Sequence, residues 1–283
     1  MKTILVPSDF SRNASVALRY AIRLAAVVKA KLVVFHCAHI SPYILATSSA
    51  SEDQVNTLIN EDIAFKTEKL EQQVSKEYKS LGIKKIPAGT TLLVESKPLL
   101  VDNIIEVAGR FGAGLIITGT HGATGLNRFF FGSNTSALIS KSPVPVLAIP
   151  EKTRYAAIRK IAFSSDLENI SNELKRLIPF VSALNANLDI VFFDYGLDAV
   201  DTLIKKANES IGKSGYKKIK LLKKKASIEY SLVKQLKKFL TSGNYQCLVM
   251  FTKERGFWSK LFYGGKTENM SYSVKMPLLS FKK

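Results

Sequence analysis

The chain of 283 residues is poor in cysteine, histidine and tryptophan, with two, three and one of them respectively. Cys37 and Cys247 lie beside the apolar runs Val33-Val34-Phe35 and Leu248-Val249-Met250, and neither belongs to a Cys-x-x-Cys pair. No metal cage or redox dithiol is spelled out, and both thiols read as small buried hydrophobes. Long hydrophobic runs are also missing. Residues 115–119 and 144–150 fall far short of the roughly 18–20 that a membrane span requires. The first nine residues lack the apolar core and small-residue cleavage site of a secretory leader. A soluble, cytoplasmic protein is the expectation. Acidic residues are scarce, 23 against 41 Lys plus Arg, for a formal net charge of +18. The excess is uneven: residues 1–150 carry +5 and residues 151–283 carry +13. Much of it is lysine between Lys205 and Lys238, a run without arginine. Such a run reads as a solvated face, so neither nucleic acid nor membrane is an expected partner.

The content is otherwise that of a globular chain, 46% hydrophobic and 23% charged, long enough for about two domains. Short apolar runs at 2–6, 32–35, 91–94, 115–118 and 144–149 alternate with helix-period segments at 14–28, 55–78, 98–111 and 133–140. Ser11 is placed to cap the first helix. Continuous apolar strands alternating with helices predict a parallel sheet covered on both faces. The second half repeats the plan. Ile161-Ala162-Phe163-Ser164-Ser165-Asp166 echoes Ile4-Leu5-Val6-Pro7-Ser8-Asp9 at an offset of 157, and residues 248–281 follow residues 116–149 at an offset of 132. One repeat of this length predicts a duplicated domain. The fold expected is α/β, two tandem doubly wound domains (1–150 and 151–283), each an open, mostly parallel five-stranded sheet. Residues 151–155 form the linker.

After the apolar run Leu115-Ile116-Ile117-Thr118 comes Gly119-Thr120-His121-Gly122, and ten residues beyond Gly122 stands Gly132-Ser133-Asn134. Glycines at a strand's carboxyl end let backbone N–H groups approach an anion closely. A helix opening at Ser133 offers its free N–H groups and dipole to the same anion. A tight strand–helix turn without a ligand would use the same residues. The cluster is neither a Walker A loop nor the glycine pattern of the dinucleotide fold. At full spacing it resembles the Gly-x2-Gly-x9-Gly-[Ser/Thr] signature of the universal stress protein family, tandem-domain type. Val6-Pro7-Ser8-Asp9-Phe10-Ser11, Phe35-His36-Cys37 and Pro143-Val144-Pro145-Val146 extend that resemblance along the chain.

The resemblance implies an adenine nucleotide in the first domain: ATP, with ADP or AMP as alternative occupants. Magnesium or manganese would be held by the phosphates. Ribose and phosphates fall by resemblance to Gly119, Gly122, Gly132, Ser133 and Asn134, and the adenosine end to Pro7, Asp9 and the backbone of Cys37. Asp9 has a second reading, as part of the helix cap near Ser11. His121 could lie beside phosphate, act as a base or only orient its loop, and no metal spacing surrounds His36 or His39. Ser96 stands where the family commonly has glycine, a peripheral departure. In the second half Phe251, Glu254 and Gly265 replace Gly119, Gly122 and Ser133, and only Gly132 survives, as Gly264. A bulky ring and a carboxylate oppose phosphate, so this domain is read as non-binding.

Three functions are open at this point: a nucleotide-dependent stress-response regulator, a slow ATPase or related phosphohydrolase, and an interaction module without ligand. Lys97, Arg128 and His121 are available for hydrolysis, but no spacing selects them. The final strands of the two halves are expected to pair as an internal pseudo-dimer. Phe129-Phe130-Phe131 and Phe257-Trp258 either pack beneath the motif loop or form a homodimer contact with an identical chain. An unknown protein partner would read the output.

Overall fold

A computed structural model describes residues 1–38, 51–120, 132–196, 200–252 and 276–283. The first half runs β1 (Thr3–Pro7), α1 (Arg12–Val28), β2 (Lys31–Ala38), α2 (Glu52–Ser80), β3 (Thr90–Ser96), α3 (Leu100–Arg110), β4 (Leu115–Gly119), α4 (Ser133–Lys141) and β5 (Val146–Ile149). The second half runs β6 (Lys160–Ser164), α5 (Ile170–Ala183), β7 (Asn187–Asp194), α6 (Val200–Lys213), β8 (Ile219–Lys225), α7 (Leu232–Ser242), β9 (Cys247–Thr252) and β10 (Leu278–Lys282).

Local chemistry sets the boundaries. Ser11 caps α1, its hydroxyl accepting the Ala14 N–H at 3.1 Å, and Lys29 ends it in the left-handed region at φ 53. Ser51 and Gln54 form a reciprocal capping box at the start of α2. Two predicted segments are shorter than their apolar runs. The helix predicted over 98–111 begins at Leu100 because Leu99 sits at φ 61, outside helical geometry. The strand predicted over 144–149 begins at Val146. The Ser142 hydroxyl accepts the Val144 N–H and donates to its carbonyl, which folds that residue into a turn.

The strands form one sheet in the order β3-β2-β1-β4-β5-β10-β9-β6-β7-β8. Within each half every pairing among the described residues is parallel. Each half contributes the expected five-stranded sheet, and β5 and β10 pair antiparallel, Leu279 opposite Leu147, joining the two into one sheet of ten strands. The physical reason is that β5 is fully buried apolar strand, an edge that must be covered.

Helices cover both faces. Buried residues of α1, α2, α5 and α6 share one core with Ile4, Val34, Leu147, Phe163 and Leu279. Buried residues of α3, α4 and α7 share the other with Leu5, Phe35, Ile116 and Leu248. Strand residues alternate between the two cores, as pleating requires. Both cysteines are free and buried, and burial pushes the Cys247 thiol up to about 12. The lysine segment is largely exposed, with Lys237 buried at 7% as the exception. Among the described residues no helix is long and apolar enough to cross a membrane.

Candidate functional site

In the first half the chain travels from β1 out to β3, then returns to place β4 on the other side of β1. The carboxyl ends of β1 and β4 therefore flank a topological switch point, the crevice where open α/β sheets receive ligands. Pro7 closes β1, half-buried. The buried Ser8 that follows donates its N–H to the Phe35 carbonyl at 2.8 Å. Its hydroxyl accepts the Phe10 N–H and donates to Gln73 Oε1 at 2.7 Å. Phe10 turns the chain at φ 64. Asp9 projects from this turn, exposed, and its carboxylate accepts the Ser11 N–H at 3.0 Å. The cap of α1 is Ser11, so Asp9 shapes the approach to the helix without capping it.

His36 stands beside this turn, Nδ1 2.8 Å from the Ser8 carbonyl and ring 4.2 Å from Phe10. Burial holds its pKa below the usual imidazole value, against the raising effect of the Ser8 carbonyl. The Lys69 ammonium lies 4.6 Å over the opposite partner of this stack, the Phe10 ring. Cys37, next to His36 on β2, is buried, its thiol 3.4 Å from the Lys97 carbonyl and accepting from Asn103 Nδ2 at 3.4 Å. The side chain is thus committed to packing.

At β4, Gly119 is buried against the first turn of α1. A Cβ placed there would lie 3.0 Å from the Asn13 carbonyl oxygen and 3.1 Å from its carbon. The glycine is thereby explained by helix–strand approach, a role that spacing alone did not reveal. The Thr135 hydroxyl donates to the Gly119 carbonyl at 2.9 Å, and the Gly132 N–H donates to Thr120 at 2.8 Å. These bonds bring α4 back to the end of β4. Its N-cap is Gly132, no described side chain caps it, and Ser133 and Asn134 are exposed on its first turn. Pro7, Asp9, Gly119, Gly132, Ser133 and Asn134 thus share the carboxyl edge of two adjacent strands, with Cys37 on the next. Gly122, His121, Arg128 and Phe129–Phe131 lie outside the described residues, as do His39, Glu254, Phe257, Trp258, Gly264 and Gly265. Among the described residues no group of three or more His, Cys, Asp or Glu is placed to hold a metal.

The second half repeats the β1–α1 turn. Ser165 accepts the Leu167 N–H at 3.0 Å, and Leu167 sits at φ 65. Its Asp166 is ion-paired with Lys283. Phe251, at the place of Gly119, is stacked on Phe281 at 4.5 Å and lies 5.6 Å from Phe163. At the first-half position matching Lys283 stands Glu151, 4.0 Å from Arg12.

The molecule is therefore a doubly wound α/β protein whose first switch point ends in a helix N-terminus and a short acidic turn. The model of the universal stress protein family matches residues 1–150, more than half of the chain, and the protein belongs to that family. It is 28% identical over 148 residues to universal stress protein MJ0531 of Methanocaldococcus jannaschii, covering 52% of this chain and 81% of that one. It is 27% identical over 161 residues to stress response protein NhaX of Bacillus subtilis, covering 52% of this chain and 96% of the relative. The fold is similar along its whole length to a universal stress protein from Archaeoglobus fulgidus. That superposition has a TM-score of 0.67 at 17% identity, covering 99% of this chain and 98% of the other.

Proposed function

We propose that the first half binds an adenine nucleotide, ATP foremost, at the carboxyl ends of β1 and β4, and that occupancy biases a conformation read by a partner. The observation that carries this is the N-terminus of α4, held by Thr135 and Gly132 at the switch point with Ser133 and Asn134 outward. A helix N-terminus favours phosphate through its N–H groups and dipole. Asp9, at the end of β1, supplies an acceptor for ribose hydroxyls or the adenine amine. Magnesium or manganese would come with the nucleotide and rest on its phosphates.

The second half is a duplicated domain that does not bind. Phe251 fills the strand end, and Asp166 is engaged by Lys283. Protein freshly purified and heat-denatured should release close to one adenine nucleotide per chain on anion-exchange chromatography. Gly122→Glu, which copies Glu254 of the second half, should release none while keeping its circular dichroism. ADP or AMP in place of ATP would shift the reading towards turnover. Protein that is empty and takes up no added ATP with magnesium would sink it.

A further inference from the structure

At the seam between the halves, on the face packed by α1 and α5, lies a cavity of about 180 Å³. It sits at the amino ends of the first-half strands, the edge opposite the nucleotide reading, and is independent of that reading. Met1, Leu115, Phe180, Leu279 and Phe281 give it apolar walls, and Arg176 of α5 stands among them with its guanidinium. One Arg176 nitrogen donates to the Lys282 carbonyl at 2.6 Å, and the guanidinium lies 5.3 Å over the Phe281 ring. A guanidinium carries five N–H donors, so this anchoring bond fixes the group without consuming it.

The pseudo-symmetry of the chain shows what such a space holds. At the offset of 157, Leu177 and Phe180 correspond to Tyr20 and Arg23. On that side of the seam the linker residue Tyr155 packs edge-on against Tyr20 at 5.0 Å and beneath the Arg23 guanidinium at 5.5 Å. The chain thus supplies its own phenol ring there, half-buried against the same core. At the same offset Arg176 takes the place of Arg19, whose guanidinium holds the buried Glu77 carboxylate at 2.6 Å, and the space beside Phe180 is the cavity. An apolar cavity of roughly 150 Å³ accepts benzene, so 180 Å³ has room for one ring and a small substituent.

We propose that this seam cavity binds a small aromatic monocarboxylate, its ring between Phe180, Leu115 and Phe281 and its carboxylate on Arg176. A guanidinium favours the planar carboxylate by charge-assisted hydrogen bonds, and the apolar walls favour the ring.

The test uses the full chain titrated with sodium benzoate and followed by methyl NMR. Saturable shifts confined to Met1, Leu115 and Leu279, in roughly the millimolar range for so small a ligand, are expected. Arg176→Gln should weaken benzoate about tenfold while toluene binding changes less than twofold. Leu279→Phe, which fills the space, should remove the shifts. Tyr155→Ala should create a second equivalent of benzoate or phenol binding. Absence of cavity-methyl shifts in the unmodified protein overturns the proposal, whatever the variants do. Shifts that survive Leu279→Phe in a folded variant overturn the location. Equal loss of toluene and benzoate in Arg176→Gln overturns the carboxylate.

Discussion

Glu173 shows how one side chain separates the two halves. In the first half the Ser8 hydroxyl donates to a neutral amide, Gln73 Oε1. In the second the equivalent Ser165 hydroxyl donates to the carboxylate of Glu173 at 2.8 Å, a residue only 2% exposed. Burial raises the Glu173 pKa above the ordinary carboxyl value, and the charge of Asp166 adds to it. The Ser165 hydrogen bond, Lys283 and Arg176 pull the other way. Between the ordinary pKa and the raised one, the folded state binds more protons than the unfolded state. Stability from this group is therefore complete below the unfolded value and declines as pH rises through the folded value. Glu173→Gln, which offers Ser165 the kind of neutral amide acceptor that Gln73 of α2 offers Ser8, removes the titration. Urea unfolding across pH 4.5–8 should show a shallower loss of stability with rising pH in the variant. Parallel pH profiles for the two proteins would mean that Glu173 stays ionised in the fold.

At the scale of elements, the same strand–helix junction is built in two incompatible ways. The end of β4 is pressed so close to α1 that a Cβ at residue 119 would meet Asn13 backbone atoms at 3.0 and 3.1 Å. Backbone cannot swing aside as a side-chain tip can, so the first turn of α1 must shift. Gly119→Ala should cost about 1–3 kcal/mol in urea-induced unfolding, the range of overpacked sites. A loss below about 0.5 kcal/mol would show that α1 gives way freely. In the second half β9 carries Phe251 at that place, packed with Phe163, Phe281 and Arg176.

The sequence made the elements themselves legible, since hydrophobic period distinguishes these strands from these helices. It also made the Ser8 and Ser165 turns legible as a pair, because an offset is visible without coordinates. The reason for Gly119 was not legible. Spacing and resemblance pointed to an anion, and neither names the residue that Gly119 packs against, Asn13 on another element. Nor does any spacing rule join Ser8 to Gln73 of α2, or Asp166 to Lys283 at the far end of the chain. Lys237, inside a run read as solvated, is buried because α7 turns that position inward beside Leu236 and Leu240. In each case the missing information was which elements the fold would bring together.

The whole molecule is joined where two apolar edges meet. Leu147 and Leu279 face one another across the antiparallel β5–β10 pair, both fully buried, and belong to one core with residues of both halves. If that core is continuous in energy as it is in space, the chain unfolds as a single unit. Unfolding enthalpy runs near 0.7 kcal/mol per residue, so one unit of 283 residues corresponds to roughly 200 kcal/mol, and a half unfolding alone to roughly 100. Differential scanning calorimetry can tell these apart. A single transition with a van't Hoff enthalpy close to the calorimetric value is expected, and Leu147→Ala should lower its midpoint without splitting it, at a cost of about 2–5 kcal/mol. A van't Hoff enthalpy near half the calorimetric value would mean that the halves melt separately and that the seam is an interface between neighbours. A single transition would instead make the seam part of the fold. Any ligand held there would then stabilise both halves together, because what binds only the folded state shifts the whole equilibrium.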